Sequence, residues 1–487
     1  MLILGIFSAL QEKTQLLIGK DFYNFLSHSK NYVSAEIFSK GLGIITIPIY
    51  TRLLVPEDYG IFAILGSFLA IFGIIYSMGI NSSVIRYYYE GKDDFDKFLG
   101  SAIFLLLLWI VPLSFILFIG KDILLKFFQI PIGMIYIGIG IVSFQIFITL
   151  YEGLLQATKQ SKKVAFLNII KKILLVISTV TLILIMQKEK YYGMAYATLF
   201  ITVLFGGYSI YQIGKKATIC LKKEYIKYAL ILCIPIVFHL LSQYILSSFD
   251  LIIINQLVGS NETGLYSLAY NIGGIQNMIC FGMLYAWTPI FYEKLKEFKY
   301  DDLNALASKF ARIIYLSAFA LILFARELMI ILADEQFHSA LDIIPIVIMS
   351  YVFFFLYSLY VTFAFYKKKT QLIALFTIIA GGINIGLNYW LIPLFGYKIA
   401  AWTTLISYAC LFVLHYLNAR VILKTDWIIS LKKLLPNLLV LTGFVLLFSY
   451  ISIVTSNNFI LIPVKIFLLI ALIFLYFGKK QFLKIKP

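Results

Sequence analysis

The sequence predicts an all-α polytopic membrane protein: fourteen transmembrane helices, arranged as two six-helix lobes related by a parallel repeat, with two extra C-terminal helices. Three observations predict it. Of the 487 residues, 61% are hydrophobic and 13% charged, with a mean hydropathy of +0.92, a balance foreign to water-soluble chains of this size. Apolar runs of about 20 residues recur, each long enough to cross a hydrocarbon core of ~30 Å. A pair of sequence landmarks also appears twice at a constant separation.

The elements follow in order. Residues 1–32 open with MLILGIFSAL, which lacks a basic leader and a small-residue cleavage site, and are read as a cytoplasmic or interfacial segment. The first span, near 33–54, places a lysine, two glycines and Pro48 inside apolar sequence, so it is bendable. Spans near 59–80, 98–119, 131–155, 164–186 and 192–213 complete an N-lobe over 33–214. A cytoplasmic linker, 215–224, leads to spans near 228–250, 264–288, 309–332, 342–365, 371–393 and 397–419, which form a C-lobe over 225–420. Two further spans, near 434–454 and 459–478, fall with a cytoplasmic tail in 421–487.

The repeat rests on LVPEDYGIF (Leu54 to Phe62) followed by YYE (Tyr88 to Glu90), and on LVGSNETGLY (Leu257 to Tyr266) followed by FYE (Phe291 to Glu293). The second pair lies about 204 residues after the first. Six spans separate the copies, and an even number preserves orientation, so the two bundles are expected to be parallel repeats about an axis along the membrane normal.

The formal charge of +17 becomes informative once it is placed on loops. With the N-terminus inside, 30 of the 41 Lys and Arg fall on inner segments and eight on outer ones, so both termini are predicted cytoplasmic. The dispersal over many short segments argues against nucleic acid as a partner. Outer connections are short, the longest being 251–263, and none could house a catalytic domain, so an enzyme is not expected. Four cysteines stand singly without CxxC spacing, and neither a disulfide framework, a metal nor a cofactor is implied.

The remaining three cations, Lys40, Lys171 and Lys172, lie within spans. A lysine there is costly unless it faces protein, water or an anion. Lys40 and Lys171 each sit seven residues into a span entering from the cytoplasm, ~10 Å deep at 1.5 Å per residue. Facing inward, they would line a cationic vestibule open to the cytoplasm; the alternative is that all three snorkel to the inner surface.

The runs SKGLGIITIPIYTRLLVPEDYGIF, RYYYEG and SSFDLIIINQLVGSNETGLYSLAY resemble the Wzx-type polysaccharide flippases (O-antigen and oligosaccharide flippases) of the multidrug, oligosaccharidyl-lipid and polysaccharide exporter superfamily. The resemblance implies a transporter of the inner (cytoplasmic) cell membrane. Its substrate would be a polyprenyl-diphosphate-linked oligosaccharide, flipped to the outer leaflet by alternating access for lipopolysaccharide or other surface glycan. A glycan polymerase and glycosyltransferases of the same pathway would be its partners, along with the lipid bilayer. One departure is that Leu251, not a basic residue, follows Asp250.

A diphosphate cannot cross hydrocarbon without compensating cations, so Lys40, Lys171 and Lys172 are its expected ligands. Asn168 shares the face of the latter two. Glu36 precedes Lys40 by four residues and is placed to pair with it. In the C-lobe, His239, Gln243 and Tyr244 form a neutral polar face, with Gln276 and Asn277 on the next span, suited to sugar hydroxyls. His239 read alone is a satisfied interior histidine. Asp250 is a candidate for ion coupling or a solvated span end. Arg52 and Arg86 bracket the first hairpin as gating residues or interfacial anchors, while Asn384 and Asn388 read as packing residues. The alternatives are a cation-coupled multidrug exporter of the same superfamily, a peptidoglycan-precursor flippase and a polytopic lipid-linked-sugar polymerase or glycosyltransferase. Acidic cavity residues would favour the first of these.

Overall fold

The computed structural model describes residues 38–90, 93–369, 371–425, 428–454, 462–463 and 465–472, which leaves Glu36 and the 1–32 segment outside the described residues. The described residues are nearly all helical, and each of the fourteen apolar runs is mainly helical where it is described. Ten of these helices are long and apolar enough to cross a membrane.

The chain opens with α1 (38–53), α2 (Pro56–Ser77), α3 (Ile80–Tyr89), α4 (Phe95–Ile119) and α5 (Lys121–Phe128). It continues through α6 (Ile132–Ala157), α7 (Ser161–Ile185) and α8 (Tyr191–Gly214). The second half runs α9 (Lys223–Ser248), α10 (Asp250–Leu257), α11 (Ser260–Lys296), α12 (Tyr300–Leu323) and α13 (Ala325–Leu332). After a 3₁₀ turn, Glu335–Ala340, come α14 (Ile343–Tyr366), α15 (Gln371–Phe395), α16 (Ile399–Leu417) and α17 (Leu431–Val454).

Helix starts explain the landmarks. Pro56 begins α2 with Glu57 and Asp58 in its first turn, where a fixed φ and negative charge both suit a helix N-terminus. Ser260 begins α11 with Glu262 in its first turn. The repeat extends further than these motifs. A shift of 204 carries Pro56 to Ser260, and it carries the eight-residue α5 (Lys121–Phe128) onto the eight-residue α13 (Ala325–Leu332). The copies are not identical: α2 and α3 are parted at Met78 and Gly79, both with positive φ (48° and 70°), whereas α11 runs unbroken for 37 residues, and α9 and α10 are parted at Phe249 where α1 runs through.

Two compact units divide the chain. One takes in Met1–Thr46, Phe68–Leu125 and Pro131–Phe238; the other Ile47–Ser67, Lys126–Ile130 and His239–Pro487. The first is cored by Met134, Ile135, Leu150 and Leu154 of α6 with Ala195 and Ala197 of α8, all buried. The second is cored by α14, whose Phe355, Leu356 and Leu359 are fully buried among α11, α12 and α16. Burying side chains of this size contributes about 1.5–3 kcal/mol each in water. In a bilayer the gain comes mainly from close packing, because lipid is as apolar as leucine.

Candidate functional site

Within the first unit, Glu152 of α6 meets Lys171 of α7. The ammonium nitrogen lies 3.3 Å from one carboxylate oxygen, and each side chain is 25% exposed. Lys171 therefore turns to an acid on the neighbouring helix. One residue earlier on α6, Tyr151 lies under Lys163 of α7 at 5.5 Å, so two successive acceptors face two lysines. Asn168, Lys172 and Lys40 are partly buried.

A second cluster in this unit lies where α3, α4 and α9 meet. Asp94 accepts hydrogen bonds from Tyr87 (2.7 Å) and from Tyr225; Glu90 accepts from Tyr228 (2.8 Å) and from Arg86 (3.2 Å). The Tyr225 and then the Tyr87 hydroxyls hold the Asp94 carboxyl below its ordinary value. Tyr87 also stacks on Phe98 at 3.9 Å. Arg86 is thus tied to its own helix, as is Arg52, which donates to the Pro48 carbonyl at 2.8 Å.

Within the second unit the two landmark helices cross. A methyl group at Gly60 would overlap the Ser260 carbonyl, and one at Gly264 would overlap the carbonyl of Pro56. Only glycine at both positions permits this backbone approach. Around the crossing, Thr51 donates to the Leu332 carbonyl (3.3 Å) and Asn255 to the Phe128 carbonyl (2.7 Å). The shift of 204 maps Thr51 onto Asn255 and Phe128 onto Leu332, so this is one hydrogen bond made twice. Each caps the last carbonyl of α13 or α5, a group that the helix itself leaves unsatisfied. Gln336 adds bonds to the carbonyls of Thr51 (3.4 Å) and Leu54 (3.2 Å), and Gln256 to that of Phe127 (2.6 Å).

Asp250 lies in the same unit and is 2% exposed, so the solvated span end expected as one alternative is not what forms. Its carboxylate accepts from Tyr266 (2.5 Å), Thr404 (3.3 Å) and the Leu251 backbone (3.0 Å). Asn384 and Asn388 extend the network, where packing alone was expected. Thr403 donates to Asn388, Asn388 to Asn384 (3.2 Å) and Asn384 to Thr404 (3.1 Å), and Thr404 donates to Asp250. Four donors in series ending on a carboxylate make a buried site for negative charge or for a small cation. The sequence shows these residues one turn apart but not their convergence.

Elsewhere in this unit, Gln243 is exposed and Tyr244 partly buried, while the side chain of His239 lies outside the described residues. Gln276, expected on the polar face, instead turns into the bundle: it donates to the Ile314 carbonyl (3.2 Å) and accepts from Ser317 (3.1 Å), since a buried amide needs partners on both its atoms. A further intramembrane lysine, which sequence reasoning assigned to a loop, is Lys465. Its nitrogen lies 2.6 and 2.9 Å from the two carboxylate oxygens of Glu327 on α13, with side chains 11% and 20% exposed.

Comparison with known proteins adds the following. A family described as polysaccharide biosynthesis protein matches residues 30–295, spanning both landmark pairs, and a second, MatE, matches residues 235–390. Protein 1 of the Lsg locus of Haemophilus influenzae is 22% identical over 354 residues, covering 70% of this chain and 85% of that protein. The inward-closed structure of the lipid II flippase MurJ superposes with a TM-score of 0.71 at 14% identity, covering 91% of this chain and 96% of its own. An inward-facing multidrug transporter of the MATE family gives 0.65 at 16% identity, covering 81% and 95%. The chain therefore shares the fold of these membrane transporters.

Proposed function

The chain belongs to the polysaccharide biosynthesis protein family, and from that premise we propose that it carries a polyprenyl-diphosphate-linked oligosaccharide from the cytoplasmic to the outer leaflet of the cell membrane by alternating access. Lysines inside the spans are the observation that carries the reading. An anionic headgroup is the cargo that rewards intramembrane cations, and Lys171 stands half-buried beside a single carboxylate. Lys40, Lys171 and Lys172 hold the diphosphate; Asn168, Gln243, His239 and Tyr244 contact sugar. Glu36, Arg52 and Arg86 contribute to gating, and Asp250 with its donor chain couples the cycle to a cation. Outward movement of negative charge across an inside-negative membrane is itself favourable by ~2.3 kcal/mol per charge per 100 mV. The glycan belongs to lipopolysaccharide or a related surface polymer, assembled with glycosyltransferases and a polymerase of the same pathway. The two six-helix lobes, 33–214 and 225–420, are the bodies that alternate, and both termini stay cytoplasmic.

The test is Lys40→Ala and Lys171→Ala/Lys172→Ala in a strain that depends on this protein for surface glycan. Loss of glycan at normal expression is expected; wild-type glycan from both variants would end the reading. A cation-coupled multidrug exporter is the second reading, favoured by one observation, the fully buried Asp250 at the head of a donor chain. Drug hypersensitivity with intact glycan on deletion would select it.

A further inference from the structure

We propose that Glu152 is the resident counter-ion of the diphosphate site: it holds Lys171 between transport events and is displaced from it by the arriving phosphate. The proposal rests on the flippase reading above and names a residue that reading does not use.

The geometry of the pair supports exchange. Charge-assisted N–H···O contacts are strongest at about 2.7–2.9 Å, with both carboxylate oxygens engaged where possible. Lys465 and Glu327 meet that standard, and Lys171 and Glu152 do not, having one contact at 3.3 Å. Both members of the looser pair are also more exposed than those of the tighter one. A diphosphate offers more acceptor oxygens and more charge than a single carboxylate, so it can outcompete Glu152 for the same ammonium group.

The surroundings of Glu152 suit a sugar phosphate. Gln145, Thr149 and Glu152 follow at intervals of four and three residues and so share one face of α6. A cavity of about 180 Å³ opens along that face, lined by Gln145 and Thr149 and, from α2, by Ala70, Gly73 and Ser77. Drug-sized pockets run to roughly 300–1,000 Å³, so this one is on the scale of a single ring. Small residues on α2 leave the space, while Thr149 spends its hydroxyl proton on the Gln145 carbonyl and keeps lone pairs for a ligand; Ser77 donates to the Ile74 carbonyl and accepts from the Gly79 N–H, which leaves it one lone pair. Asn168, three residues before Lys171, rides on the same face of α7. Phosphate at Lys171 and the adjoining sugar against Gln145 would then occupy one continuous strip.

The experiment uses the full-length protein in detergent and geranylgeranyl diphosphate as the probe. Glu152→Gln removes the competing charge and is expected to bind the probe about fivefold tighter than wild type, in line with the worth of a part-exposed ion pair. Lys171→Gln is expected to bind it more weakly by a similar factor, and the charge-swapped Glu152→Lys/Lys171→Glu protein is expected to bind it weakly too. Equal affinity for Glu152→Gln and wild type, or wild-type affinity in the swapped protein, would mark the pair as a helix–helix staple and overturn the proposal. A measurement on the wild type needs no variant to fold: labelling of Glu152 by a hydrophobic carbodiimide, read by mass spectrometry, should rise severalfold when the probe is added. Unchanged labelling with probe bound also overturns it. If wild type binds no polyprenyl diphosphate at all, the functional reading fails, and that outcome is distinct from the others.

Discussion

Lys171–Glu152 and Lys465–Glu327 are two lysine–glutamate pairs among the described residues of the spans, and their chemistry is nominally the same. Lys465 and Glu327 join at two short contacts with little exposure, whereas Lys171 and Glu152 touch once, at longer range, one helical turn from Thr149, which lines a cavity. Removing two charges from water costs several kcal/mol per ion, and only good geometry with extra contacts offsets it. The tight pair also has Phe324, whose ring centre lies 5.8 Å from the Lys465 nitrogen, to favour the cation. One pair is built to stay closed, and the other is closed only loosely. An ion pair in a membrane is thus not a role in itself; contact number and access decide whether it acts as a bolt or a latch.

The sharpest way to break that contrast is Lys465→Ala, which strands Glu327 in a low-dielectric setting. A loss of about 3 kcal/mol is expected, seen as a lower thermal unfolding midpoint in detergent, with Glu327→Gln/Lys465→Met losing markedly less. An unchanged midpoint for Lys465→Ala would erase the distinction. Next comes the helix crossing. Gly60→Ala or Gly264→Ala forces backbone apart and should cost about 1–3 kcal/mol, with glycan export falling alongside stability. Export that stays normal would show that the crossing can loosen freely. Lys171→Ala should lower the midpoint by about 1 kcal/mol or less while abolishing export, a split the tight pair cannot produce.

The smallest effect concerns the tyrosine–carboxylate cluster. Because the Asp94 carboxyl is held below its ordinary value, its contribution is fully present above the unfolded value, about 3.9, and is lost as pH falls through the lower folded one. Proteolysis of the 215–222 linker should therefore stay slow at neutral pH and accelerate only under strong acid. Asp94→Asn should remove that pH dependence, and a wild-type cleavage rate whose pH profile matches that of the Asn variant throughout would discount the contact.

Much of this is legible in the sequence because hydropathy, turn chemistry and span-embedded lysines are local properties. The spans and the landmark repeat follow from short windows, and PEDYG reads as a helix start from its proline and acids alone. The acid that answers Lys171 is not legible in that way. Glu152 sits three residues before the end of its apolar run, where a carboxylate equally suits the boundary, and its turn toward α7 depends on how two helices rotate against each other. Asp250 misleads for the same reason: its place near a span end suggests water, while Tyr266 and Thr404 arrive from distant segments to bury it. Lys465 is read as boundary charge because α13, which supplies Glu327, is an amphipathic turn that hydropathy merges with the preceding span. The equivalence of Thr51 and Asn255 is invisible to motif comparison, since only their donor function is shared.

The compact units do not respect the boundary between the two repeats. Residues 47–67 and 126–130 of the first half are packed into the second unit, and residues 223–238 of the second half into the first. Each unit therefore draws on segments from both sides of the 215–222 connection, and neither is assembled from one side alone.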